Sequence, residues 1–125
     1  MKVALIGMGS VGRGVSHVLK NDSRFKIVAA ADSKSGTVNP DGLDIDRLLQ
    51  AKKDTGRIGT PDWTAFRIAA EVDYDVLVEV TPTNAETGEP ALSTIKITLS
   101  RGKHVVTSNK GPISLYYREL ESLAE

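Results

Sequence analysis

The segment at residues 6–14, IGMGSVGRG, constrains the fold of this chain more than any other feature. Its glycines at positions 7, 9 and 12 form a G-x-G-x-x-G pattern. A short aliphatic run at residues 3–6 precedes the pattern, and apolar residues at helical spacing follow it: Val11, Val15, Val18 and Leu19. The segment therefore predicts a strand, a tight turn and a helix in direct succession.

Each glycine has its own steric role in such a turn. Gly7 allows the turn itself, Gly9 lets the backbone approach a pyrophosphate, and Gly12 lets the helix pack close to the strand. The N–H groups of the first helical turn then face the anion. We predict that this loop binds a dinucleotide through Gly7, Met8, Gly9, Ser10, Val11 and Gly12. A purely structural glycine turn is the competing interpretation.

Asp32 supports the dinucleotide interpretation. It ends a second aliphatic strand at residues 26–32 and follows Gly12 by 20 residues, the context in which an acid accepts hydrogen bonds from the adenosine ribose. Because a carboxylate there repels a 2′-phosphate, we expect NAD(P) to bind with NAD favoured. The positive charges of Lys34 and Arg13 would instead favour the 2′-phosphate of NADP. Methyltransferases also combine a glycine loop with an acid at the end of the second strand. Their loops bind an adenosyl group without a pyrophosphate, so they do not need the glycines at positions 12 and 14.

Strand and helix signals alternate along the whole chain. Strands are predicted at residues 3–6, 26–32, 75–80 and 103–107. The helices predicted between them include one that Asp44 caps and that ends near Gly56, and one with Pro90 at its first position. A last helix opens at Pro112. This alternation predicts an α/β fold of the Rossmann type: a doubly wound parallel sheet of at least four strands, order 3-2-1-4, with helices on both faces. Such sheets usually have six strands, so we expect the fold to be incomplete at its C-terminal end.

Polar residues follow the third and fourth predicted strands. Because parallel strands end at one crevice, we predict further cofactor contacts from Thr81, Pro82, Thr83 and Asn84, and from Ser108, Asn109 and Lys110. Local capping of the loops is the alternative for these side chains. Glu79 is an acid within an apolar strand, and it requires either a buried partner or an exposed position.

The composition excludes several other classes of function. The chain contains no cysteine, which rules out disulfides and thiolate chemistry and agrees with a cytoplasmic protein. Its 16 basic and 16 acidic residues leave no net charge. We therefore expect no nucleic acid partner and no membrane partner. We also expect no metal site, and the partner expected for a dinucleotide-binding chain is a small-molecule substrate.

Three motifs in this order, GMGSVGRGV, LVEVTPTN and GKHVVTSNKGP, resemble the nucleotide-binding domain of homoserine dehydrogenase. The segment NPDGLDIDRLL at residues 39–49 is similar to the short archaeal and bacterial forms of that enzyme. The resemblance covers essentially all 125 residues. It implies NAD(P)-dependent interconversion of L-homoserine and L-aspartate 4-semialdehyde, in threonine and methionine biosynthesis.

The resemblance also implies a division of labour. Residues 1–125 would be the dinucleotide-binding domain, and the substrate and dimerisation domain, absent from this chain, would make the full-length enzyme a homodimer. Lys110 is the candidate catalytic residue, although a second lysine in that other domain has an equal claim to the substrate proton. Two alternatives stay open: another amino-acid-pathway dehydrogenase, such as one acting on aspartate, and a free-standing NAD-binding redox sensor.

Overall fold

In the computed structural model the described residues are 1–81 and 91–107. They form the strands β1 (Lys2–Ile6), β2 (Lys26–Ala31), β3 (Gly36–Val38), β4 (Val76–Glu79) and β5 (His104–Thr107). The helices are α1 (Ser10–Lys20), α2 (Ile45–Thr55), α3 (Ala65–Glu71) and α4 (Ala91–Ser100). The predicted α/β class is confirmed. Pro90 and the helix predicted to open at Pro112 lie outside the described residues.

The strands form one sheet in the order β3-β2-β1-β4-β5. The pairs β1–β2, β1–β4 and β4–β5 are parallel, whereas β3 is antiparallel to β2. The predicted Rossmann-type sheet is thus confirmed: β2 and β3 lie on one side of β1, and the chain then crosses over to form β4 and β5 on the other side. The edge strand β3 is antiparallel to its neighbour.

The strand beside β2 at the edge of the sheet, β3, is one that the sequence pattern did not predict. The predicted third strand, β4, lies beside β1, and the predicted fourth strand, β5, lies beside β4 rather than beside β1. The reason is the short hairpin after β2, in which the Asp32 N–H donates to the Ser35 carbonyl at 2.9 Å and β3 pairs with the edge of β2. Because that edge is occupied, the chain pairs next on the far side of β1. Three residues, the length of β3, are too few for a periodic signal.

Helices cover both faces of the sheet. On one face α1 and α2 pack over Val3, Leu5 and Val78, and on the other α3 and α4 pack over Ile6 and Leu77. Ten or more buried apolar side chains on each face account for the stability of a parallel sheet that is hidden from water.

The apolar residues whose spacing predicted α1 are only partly buried. Val15 and Leu19 pack against the core, but Val11 and Val18 are 55% and 70% exposed. The face that meets the sheet contains Gly12, Val15 and Leu19, because the absence of a side chain at Gly12 lets the helix approach there. Val11 and Val18 consequently lie on its flank, while the helix that the spacing of these residues predicted is confirmed.

Helix α2 has the predicted ends. The Asp44 side chain accepts a hydrogen bond from the Arg47 N–H at 3.2 Å, and Gly56 ends the helix at a φ of 77°. Within the described residues no helix has the length and apolar character needed to cross a membrane.

Candidate functional site

The glycine loop, the end of β2 and the end of β4 meet at the carboxyl edge of the sheet. The Gly7 N–H donates to the Ala31 carbonyl at 2.8 Å, and the Val80 N–H donates to the Ile6 carbonyl at 2.9 Å. These bonds extend the sheet by one residue past each strand. They place Asp32 and Thr81 on either side of the glycine loop, where a crevice is expected in an open α/β sheet.

Two of the three glycines are required by the protein itself. Gly7 has a φ of 110°, and a Cβ there would lie 2.9 Å from the carbonyl carbon of Val80. A Cβ at Gly12 would lie 2.0 Å from the carbonyl oxygen of Gly7. The roles predicted for these residues, a tight turn and a close helix–strand approach, agree with this geometry.

Gly9 differs from the other two. Its backbone is extended, with φ −75° and ψ −164°, a conformation open to any residue. In the part of the chain that the structure describes, no atom lies within 4 Å of a Cβ built there. Nothing in residues 1–81 and 91–107 therefore accounts for a glycine at this position, whereas a ligand that approaches the backbone would.

Gly9 is also the N-cap residue of α1. No side-chain capping bond is made there among the described residues, and the first turn contains no acidic side chain. The N–H groups at the start of α1 thus face the crevice end of the sheet with the positive end of the helix dipole. The Met8 side chain packs in the core, so a contact from Met8 would come from its backbone, while Val11 is exposed.

Asp32 is held by a dense set of donors. Its Oδ1 accepts hydrogen bonds from the Lys34 and Ser35 N–H groups, at 2.8 and 2.7 Å, and from the Ser35 hydroxyl at 3.1 Å. Its Oδ2 accepts a hydrogen bond from Lys52 Nζ at 2.5 Å. The side chain is 5% exposed. Oδ1 is thus occupied by the hairpin, while Oδ2 retains capacity for one further donor.

The surroundings of Asp32 favour its ionised form. Burial by itself raises the pKa of the Asp32 carboxyl, but the hydrogen bond from Lys52 and those from the Lys34 and Ser35 amides outweigh it, and the net pKa is lowered. The carboxylate is therefore charged at neutral pH, and the ammonium of Lys52 balances that charge.

Lys52 and Ser35 were missed by the sequence reasoning. Lys52 lies 20 residues after Asp32, on the last turns of α2, and its neighbour Lys53 has the same chemical character. Only the rotation of α2 distinguishes them. Ser35 also accepts a hydrogen bond from the Ile58 N–H at 2.9 Å, so it links the hairpin to the segment that follows α2. A Ser after Asp in a turn was the available signal.

A second buried acid lies at the ends of β4 and β5. Glu79 is fully buried, and its Oε1 accepts a hydrogen bond from the Thr81 N–H at 2.8 Å and another from the Thr81 hydroxyl. Its Oε2 accepts a hydrogen bond from the Thr107 hydroxyl at 2.9 Å. The question raised by an acid in an apolar strand is thereby answered: Glu79 has buried partners.

The remaining predicted contacts lie outside the described residues: Pro82, Thr83, Asn84, Ser108, Asn109 and Lys110. Ser10 begins α1, and nothing is described of its side chain. Within residues 1–81 and 91–107, no group of three or more His, Cys, Asp or Glu side chains is arranged to hold a metal ion.

Comparisons with known proteins agree with this geometry. Residues 7–125 match the family model described as homoserine dehydrogenase, NAD binding domain. The chain is 40% identical to homoserine dehydrogenase from Methanocaldococcus jannaschii, covering 96% of this chain and 40% of that protein. It is 36% identical to NAD(+)-dependent homoserine dehydrogenase from Pseudomonas canavaninivorans, covering 98% of this chain and 39% of the relative.

A solved structure of a hyperthermophilic archaeal homoserine dehydrogenase in complex with NADPH is similar in fold. It superposes with a TM-score of 0.82 at 26% identity, over 98% of this chain and 40% of that one. This chain thus spans about two fifths of the length of its relatives. The glycine loop, the acid at the end of β2 and the family match lead to one conclusion: this chain belongs to the homoserine dehydrogenase family and corresponds to its NAD-binding domain.

Proposed function

We propose that this chain binds NAD(P)(H) and forms the cofactor half of an enzyme that interconverts L-homoserine and L-aspartate 4-semialdehyde. The observation that carries the proposal is Gly9: open space above an extended glycine, at the uncapped start of a helix. A pyrophosphate fits that space because it needs close backbone approach and N–H donors. Family membership supplies the substrate class.

Residues of this chain would divide the work of cofactor binding. The amides of Gly9 and the first turn of α1 would hold the pyrophosphate, and Asp32 Oδ2 would accept a hydrogen bond from the ribose. Thr81, at the end of β4, would face the nicotinamide side of the crevice, together with Pro82, Thr83 and Asn84. The bound nicotinamide accepts or returns a hydride.

Lys110 is the residue that we propose for proton transfer. Oxidation of an alcohol releases a hydride to the nicotinamide and the hydroxyl proton to a base. A neutral Lys110 amine would accept that proton, and in the reverse direction its ammonium would stabilise the developing alkoxide. Ser108 and Asn109 would position this segment beside the cofactor, and the rest of the enzyme would bind the substrate and form the homodimer.

We further propose that NAD is preferred over NADP, with modest discrimination. The Asp32 carboxylate repels a 2′-phosphate, as expected from the sequence. Its charge, however, is balanced by Lys52 Nζ at 2.5 Å, and this neighbour reduces the repulsion. One relative is named as NAD(+)-dependent and another structure contains NADPH, so the family accommodates both cofactors.

The test uses the variant Gly9→Ala. Because Gly9 has an extended backbone and open space, alanine should change the free energy of unfolding by less than about 1 kcal/mol. The new methyl group should nevertheless obstruct the pyrophosphate and weaken NADH binding by about tenfold or more, which corresponds to about 1.4 kcal/mol. Isothermal titration with NADH and NADPH measures the affinity, and thermal unfolding measures the stability.

Gly14→Ala is the matched control. Gly14 lies in the same helix, and apart from its chain neighbours and the backbone of that helix, no atom of the described residues lies within 4 Å of a Cβ built there. It is outside the proposed pyrophosphate site, so its alanine variant should bind NADH as the wild type does. Equal affinities for wild type and Gly9→Ala would contradict the proposed use of this glycine, and a wild-type protein that binds neither cofactor would refute the function.

A further inference from the structure

We propose that Glu79 is a positioning residue that couples Thr81, just past β4, to Thr107 at the end of β5, and so aligns the cofactor contacts with the segment that carries Lys110. The proposal rests on the proposed function, because it concerns how the two sides of the same crevice are held together. Glu79 itself is buried and would touch neither substrate nor cofactor.

Glu79 is a buried acid in an otherwise apolar strand. It occupies the last position of β4, flanked by Ile6 on β1 and Thr107 on β5, on the same side of the sheet as Leu77. A buried carboxyl requires hydrogen-bond partners, and an apolar side chain would avoid that requirement. The presence of an acid at this position therefore calls for an explanation beyond packing.

The two carboxylate oxygens of Glu79 bind different segments of the chain. Oε1 accepts both hydrogen bonds from Thr81, and Oε2 accepts the hydrogen bond from the Thr107 hydroxyl at 2.9 Å. Thr81 is two residues past Glu79, and Thr107 is 28 residues away. The planar carboxylate of Glu79 thus joins Thr81, a predicted cofactor contact, to Thr107, the last residue of β5.

These hydrogen bonds hold Thr81 and Thr107 on a common carboxylate at the crevice end of the sheet. Thr107 is the last residue of β5, and Lys110 follows it by three positions in the chain. Movement of Thr107 relative to Thr81 would accordingly misalign the proton-transfer group and the nicotinamide.

The decisive variant is Thr107→Val, made in the full-length protein. It removes the hydroxyl group that donates a hydrogen bond to Glu79 Oε2, but it keeps the shape of the side chain. Both hydrogen bonds from Thr81 to Glu79 remain in place. We expect the kcat for homoserine oxidation to fall by about fivefold, the equivalent of one ordinary hydrogen bond, while the dissociation constant for NADH changes by less than about twofold.

Thr98→Val is the matched control for the loss of a buried threonine hydroxyl. Thr98 lies in α4, where its hydroxyl bonds to the Thr94 carbonyl and to the Tyr74 hydroxyl, each at 2.9 Å, and takes no part in the crevice. We expect a lower melting temperature for this variant and an unchanged kcat at a temperature at which both variants are folded.

Glu79→Gln and Glu79→Ala provide the rescue comparison. Glutamine can still accept from Thr81 through its oxygen, and its amide can donate to the Thr107 hydroxyl, so kcat should stay within about twofold of wild type. Alanine removes both connections and should lower kcat more than Thr107→Val does. If Thr107→Val and Thr98→Val have the same kcat when folded, Glu79 is structural only and the inference fails. A wild type that binds no NADH would refute the proposed function as well.

Discussion

The steric role of Gly12 gives a prediction whose magnitude follows from the structure. A Cβ at this position would lie 2.0 Å from the Gly7 carbonyl oxygen and 2.7 Å from its carbon. Gly7 cannot move away easily, because it has a φ of 110° and its N–H is bonded to the Ala31 carbonyl at 2.8 Å. Gly12→Ala must therefore shift α1 away from the sheet.

The size of the effect is a difference between two contributions. Overpacking of a rigid interior costs about 1–3 kcal/mol, and a contact with fixed backbone belongs at the upper end. Replacing glycine within a helix contributes about 1 kcal/mol in the opposite direction. We expect Gly12→Ala to lower the free energy of unfolding by about 2 kcal/mol, or the melting temperature by roughly 8 °C. Gly14→Ala receives only the favourable contribution and should melt about 2–4 °C higher than wild type.

Thermal unfolding followed by circular dichroism at 222 nm, a wavelength set by the helical signal, measures both variants in the same buffer. The pair is informative because both substitutions are Gly→Ala in α1, so helix propensity cancels in the comparison. Opposite shifts would support the close helix–strand approach. If Gly12→Ala melted at or above the wild-type temperature, the tight contact between α1 and the Gly7 turn would be refuted.

Three further predictions concern Asp32, its partner Lys52, and Lys110. Asp32→Ala should weaken NAD binding more than NADP binding. Lys52→Met should instead increase the preference for NAD, because it leaves the Asp32 charge unbalanced. Titration with both cofactors measures these affinities, and equal losses for the two cofactors in Asp32→Ala would contradict the prediction. Because the pKa of Asp32 is lowered from 3.8, its contribution to stability is fully present above that pH and is lost as the pH falls through the lower folded value. The urea midpoint of Lys52→Met should therefore decline less steeply with acid pH than that of the wild type. Parallel pH profiles for the two proteins would argue against the ion pair. Lys110→Ala in the full-length enzyme should lower kcat by about 10²-fold or more with a smaller change in cofactor affinity, and a near-normal kcat would leave Lys110 without a catalytic role.

Features that depend on neighbours in the chain were predictable from the sequence. The glycine loop, the Asp44 cap of α2 and the acid after β2 were all identified from residues a few positions apart. Their signals are local because backbone sterics and capping bonds act over one or two turns. The alternation of aliphatic strands with helices determined the fold class in the same way.

The tertiary structure decided the features that depend on how distant segments meet. Strand β3 was too short to show a period, so its pairing and the position of β4 beside β1 emerged only from the assembled sheet. The choice of Lys52 over Lys53 as the partner of Asp32 depends on the rotation of α2, and the partner of Glu79 on β5 is 28 residues away. Hydrophobic burial is nondirectional and sets which faces meet, while the pairing of buried charges depends on contacts of a few ångströms that no local pattern encodes.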